Sequence, residues 1–172
     1  MKRIRNFLSE VRVKLEIRTS IYIEDTDEFM PISQMGSIRE FTMRKDDFLT
    51  DGFTNLDGKI VFEGYQIVDF DQSDEIDPLW NYYAQTLLEC MESGYGEIYF
   101  PNAPIEVKFE KKGKHYLKLT VDDQSLTSEV TTFITAFCEA AGEFMTFRNI
   151  VTNGEYTDDL EANLQKLVQI RI

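Results

Sequence analysis

The stretch at 77–94, "DPLWNYYAQTLLECMESG", constrains the fold more than any other part of the chain. Asp77 suits an N-cap, Pro78 suits the first helical position, and Gly94 falls where a helix closes on a left-handed residue. Between them Leu79, Tyr83, Leu87, Cys90 and Met91 recur at helical spacing, with Trp80 and Leu88 widening the stripe. Such a helix must lay its apolar face on something, and most segments around it have a period of two.

Residues 11–23, "VRVKLEIRTSIYI", set Val11, Val13, Leu15 and Ile17 against Arg12, Lys14, Glu16 and Arg18, the pattern of a half-buried strand. "EDTDE" is then a turn, and 37–44 is a second strand in which Phe41 and Met43 face together. "TDGFTNLDGK" carries two Asp-Gly pairs and reads as a loop or hairpin connection. Residues 59–70 form a long β-rich run, bent or bulged at Gly64. After the helix, "GEIYFPNAPIEVKF" and "KHYLKLTV" predict a strand, a Pro-marked kink and a hairpin turning at "KKGK".

A second helix is expected to open near 125–128 and run to 147, burying Val130, Phe133, Ile134, Phe137, Ala141 and Phe144. Gly142 inside it implies close packing there. A short third helix over 158–168 buries Leu160, Leu164 and Leu167, with Asp158 and Glu161 spaced as a capping box. The expectation is one α+β domain over 1–172: an antiparallel sheet with two main helices packed on one face and a short C-terminal helix.

Charge narrows the function. The formal charge is −13, yet residues 1–20 hold six basic residues against two acidic ones, a local +4 that leaves about −17 for the rest. A field of that sign argues against nucleic acid and anionic lipid as partners. Cys90 and Cys138 lie far apart among apolar neighbours, as thiols in a reducing compartment do. The basic start is followed by no apolar core of a signal peptide, and no segment approaches the ~18 apolar residues of a membrane span. A cytoplasmic protein is expected.

The acidic run "VDFDQSDEIDPLW" is the main functional candidate. It fails the EF-hand pattern, because Asp74 stands at the glycine position and Trp80 where the terminal Glu belongs. His115 is the only histidine, and no nucleophile elbow, phosphate loop, dinucleotide fingerprint or Cys-x-x-Cys is present. No catalytic residue, metal or cofactor is assigned. Three readings stay open for the run: a solvated lead-in to the helix, a docking surface for a basic protein, or an irregular, weak site for a hard cation. The docking surface would use Asp69, Asp71, Asp74 and Glu75, with Trp80 and Tyr82 as aromatic anchors. The other aromatics nearby, Tyr83, Tyr95, Tyr99 and Phe100, read first as core.

Small size, acidity and the order of helix, Gly turn and Pro-marked strand in "DPLWNYYAQTLLECMESGYGEIYFPNAPIEVKF" resemble the immunity proteins of bacterial polymorphic toxin systems. The resemblance implies a protein that neutralises a cognate toxin, often a basic nuclease, by tight occlusion; monomer and homodimer both stay open. It transfers no binding residues. The rival expectations are a carboxylate-dependent metal enzyme and an oligomerising adaptor domain. Calorimetry with calcium, magnesium or zinc should detect nothing tighter than roughly millimolar. A micromolar isotherm lost in Asp69→Asn/Asp71→Asn would favour the metal enzyme.

Overall fold

The computed structural model describes residues 14–24, 26–34, 39, 49–50, 53–54, 56–69, 73–152 and 159–170. Strand β1 (Glu16–Ile23) buries Ile17, Thr19, Ile21 and Ile23 on one face and exposes Glu16 and Arg18 on the other, where Ser20 is also buried. It pairs antiparallel with β2 (Glu28–Pro31) on one side and β5 (Asp57–Glu63) on the other. Ahead of β5, β3 (Leu49–Thr50) and β4 (Phe53–Thr54) pair antiparallel with each other. The strand expected at 37–44 lies outside the described residues, apart from Arg39, which is helical.

The long run at 59–70 folds back on itself. β5 stops at Glu63, the Gly64 N–H donates to the Gln66 carbonyl at 3.0 Å, and β6 (Ile67–Val68) returns beside β5. The expected bend is a hairpin. β7 (Asp74–Glu75) adds to the other end of β5.

A second sheet has the order β11-β10-β9-β8, from β8 (Tyr95–Tyr99), β9 (Glu106–Lys112), β10 (Tyr116–Val121) and β11 (Gln124–Glu129). The kink and the "KKGK" hairpin fall as expected. β11 corrects the sequence reading, which opened a helix here. Leu126 is the only large apolar side chain in this Ser/Thr-rich run, so period two is invisible. Pairing with β10 decides it: Val121 faces Gln124 across a two-residue turn in which Asp122 has φ 52°.

Three helices follow from the described residues: α1 (Ile76–Ser93), α2 (Val130–Thr152) and α3 (Leu160–Val168). α1 closes at Gly94, whose φ of 92° lets its N–H reach the Cys90 carbonyl at 2.8 Å. α2 runs five residues past its expected end and buries all six residues predicted for it. α1 packs on β8, β9 and β5, α2 on β1, β10 and β11, and α3 lies against both helices. α3 buries Leu160, Leu164 and Leu167 as expected, while Asp158 of the proposed capping box lies outside the described residues. No helix among the described residues is long and apolar enough to cross a membrane.

The fold is therefore α+β, with the anticipated sheet divided in two. The halves meet where β6 approaches β11. There the Gln124 amide accepts from the Asp69 N–H (3.0 Å) and donates to its carbonyl (2.8 Å), replacing one rung of a ladder. Behind the join lies an aromatic core. Phe62 stacks on Phe133 (5.9 Å between centroids), Phe109 meets Phe133 edge-on (5.7 Å), and Tyr83 touches both Phe62 and Phe109. Trp80 packs against Phe137 and Phe144.

Asp77 is not the cap. α1 starts two residues before Pro78, at Ile76, whose N–H donates to the Leu56 carbonyl at 2.9 Å, and Glu75 stands at the N-cap without a side-chain bond. Asp77 instead accepts from Arg148 Nη1 of α2 at 3.2 Å, with only 2% and 3% of the two side chains exposed. Burial makes that pairing obligatory, because either charge alone in the core is costly. Gly142 also departs from expectation, since a Cβ there would meet nothing within 4 Å. The close approach is at Gly96, where a Cβ would stand 2.3 Å from the Thr86 carbonyl oxygen of α1.

Two outcomes follow, both read from denaturant midpoints. Asp77→Ala should cost about 3–5 kcal/mol, well above the ~1 kcal/mol of a lost cap, and Asp77→Ala/Arg148→Met should recover part of it. Gly142→Ala should stabilise by up to about 1 kcal/mol, whereas Gly96→Ala should destabilise by about 1–3 kcal/mol.

Candidate protein-binding surface

The structure disperses the predicted patch. Asp71 lies outside the described residues. Asp69 is half-buried and pairs with Lys59 at 2.7 Å, while its backbone holds Gln124. Asp74 is 3% exposed, so it cannot present charge to a partner. Its carboxylate accepts from the Glu75 N–H (2.7 Å), the Asn102 N–H (3.0 Å) and the Asn102 side chain (3.1 Å), tying the start of α1 to the 100–104 loop. Trp80 is fully buried in the aromatic core and cannot act as a surface anchor. The reason for both corrections is that a helix entering the core carries its first turn in with it. Among the described residues of the patch only Glu75 is exposed, and Tyr82 is half-buried. Tyr82 lines a shallow groove between α1 and α3 with Gln85, Glu89, Glu92, Asp159 and Lys166.

Glu75 has an unfavourable neighbour. Across the β5–β7 pair it stands directly opposite Asp57. Partial burial, then the charges of Glu75, Asp74 and Glu24, raise the Asp57 carboxyl above its ordinary value, although the residue as a whole is exposed. Among the described residues, the two cysteines and the histidine lie apart from one another. Burial pushes the Cys90 thiol up to about 11 and also raises Cys138, and His115 is exposed on its hairpin. Among the described residues no group of three or more His, Cys, Asp or Glu is placed to hold a metal.

What the structure does assemble is the outer face of the second sheet. β8 presents Tyr95, Glu97 and Tyr99 outward, while Gly96 is buried and Ile98 half-buried on its inner side. Register sets Glu97 opposite Lys108 and Tyr99 opposite Glu106. The Tyr95 hydroxyl donates to Glu97, and the Tyr99 hydroxyl donates to Glu106 at 3.3 Å. Glu106 is also paired with Lys108, and the Glu110 carboxylate accepts from Lys112 at 3.0 Å. The bond to Glu97 pushes the Tyr95 phenol up to about 12, and the Glu106 charge raises Tyr99. The hydrogen bond to Glu106 raises Lys108, and the one from Lys112 lowers Glu110. The rings stay open to solvent nevertheless, with Tyr95 43%, Tyr99 52% and Tyr116 49% exposed.

The signal for these residues in the sequence is the alternation Tyr-x-Glu-x-Tyr in "YGEIY", although aromatics in this region read first as core. Phe100, beside them, is buried as expected. The chain matches no protein-family model, no curated protein and no solved structure.

Asp57 supplies a pH test. A carboxyl raised in the folded state penalises folding once ionised. Its contribution is therefore favourable in acid and falls as pH rises through the raised value. Asp57→Asn should be the more stable protein at pH 7, and the gap should close below the ordinary carboxylate range. Thermal midpoints across pH 3–7 measure it.

Proposed function

We propose that this chain is a non-enzymatic interaction protein that binds a basic protein partner, in the manner of the immunity proteins it resembles. One observation carries the reading. Tyr95 and Tyr99 are exposed on a strand, and each phenol is held in place by a carboxylate, Glu97 or Glu106. Tyrosine offers a large amphipathic contact at low entropic cost, and such residues dominate binding energy at interfaces. A chain of −13 favours a partner of opposite sign and speeds its encounter. The free cysteines fit a reducing, cytoplasmic setting.

The test requires the partner, obtained by pull-down from the native cell or from the neighbouring gene, and kinetics of its binding. Tyr99→Ala should speed dissociation by roughly thirtyfold, the size of a hot-spot truncation. Glu97→Gln/Glu106→Gln should mainly slow association and flatten its dependence on salt. Tyr82→Ala, in the separate groove between α1 and α3, should change neither rate by more than about twofold. A large effect at Tyr82 with none at Tyr99 would move the interface to the groove.

A further inference from the structure

β8 ends the second sheet, and the described residues pair it only with β9. The bonds Phe100 N–H to Ile105 carbonyl and Lys111 N–H to Gly94 carbonyl, both 2.9 Å, fix the phase of that ladder. Because antiparallel bonding alternates, Gly96 and Ile98 direct their backbone groups to β9, and Tyr95, Glu97 and Tyr99 direct theirs outward. At Tyr95 both groups are engaged locally, the N–H with Ser93 Oγ at 3.3 Å and the carbonyl by the Ser93 hydroxyl at 2.6 Å. The N–H and C=O groups of Glu97 and Tyr99 therefore form an open edge at strand spacing.

The side chains specify what fits. A residue paired with Glu97 on an added strand would project from the same outer face, beside the carboxylate and between two exposed tyrosine rings. Lysine or arginine there gains both an ion pair and a cation–π contact. A second copy of this chain fits poorly. Full antiparallel overlap of two β8 strands places Glu97 against Glu97, between molecules of −13 each. The geometry points to the β8 edge as the place where an extended, basic segment of the partner docks as an added strand. This rests on the outer face being the binding surface.

The probe is an end-blocked peptide alternating lysine and valine, compared with the same peptide N-methylated at its lysine amides. Charge is equal in the two, but the second cannot pair as a strand. The unmodified peptide should slow hydrogen exchange at the Glu97 and Tyr99 amides at least tenfold, with the N-methylated one protecting neither. Glu97→Gln, at an exposed position, should weaken its binding by about two- to fivefold. Equal binding of both peptides, shifting the Tyr95 and Tyr99 rings without protecting the amides, would overturn the added strand and leave the outer face standing. Binding of neither peptide also overturns it, while the outer face is judged separately by partner kinetics with Tyr99→Ala.

Discussion

The contact on which the rest depends is the packing of Phe62 and Phe109 against Tyr83 and Phe133. Phe62 belongs to the first sheet and Phe109 to the second, while Tyr83 and Phe133 come from the two long helices. Neither half-sheet could hide its inner face alone, so the aromatic layer makes them one body. Each such ring buries on the order of 150–250 Å², far more than the single Gln124 amide contributes at the join between the sheets. The polar join sets how the edges meet. The apolar layer supplies the stability.

That layer also decides where charge can go. Entering the core at Ile76, α1 carries Asp77 and Trp80 inward, and Asp74 is drawn beneath the 100–104 loop. Each buried carboxylate finds partners that the interior supplies: Arg148 for Asp77, and Asn102 with the Glu75 N–H for Asp74. Acidic residues placed close together in sequence thus serve different ends. Glu97 and Glu106, which accept from the Tyr95 and Tyr99 hydroxyls, sit instead on β8 and β9, where the ladder between the two strands holds both rings in position. Preorganisation of that kind lowers the entropic cost of association.

Much of the architecture could be read locally. Gly94 closes α1 where its spacing indicated, and β1, β9 and β10 alternate as their side chains alternate. β11 could not be read this way, because its run of Ser and Thr gives no apolar period and only pairing with β10 makes it a strand. The hairpin at Gly64 was hidden for the opposite reason. Both of its arms are β-rich, so the reversal leaves no break in the pattern. On the surface the same limit applied: the tyrosines of β8 resemble core residues until the sheet shows which side of the strand is covered.

The sequence by itself determined the α+β class, the presence of the three described helices, the residues of the apolar stripes and the acidity of the chain. These depend on side-chain period and composition, which are local properties. Only the tertiary structure decided which carboxylates are exposed and which aromatics face solvent. The fate of Asp77 turns on Arg148, 71 residues away, and that of Asp74 on Asn102, 28 residues away. No spacing rule within one element encodes such a partner, because the desolvation that demands it arises only when the elements pack.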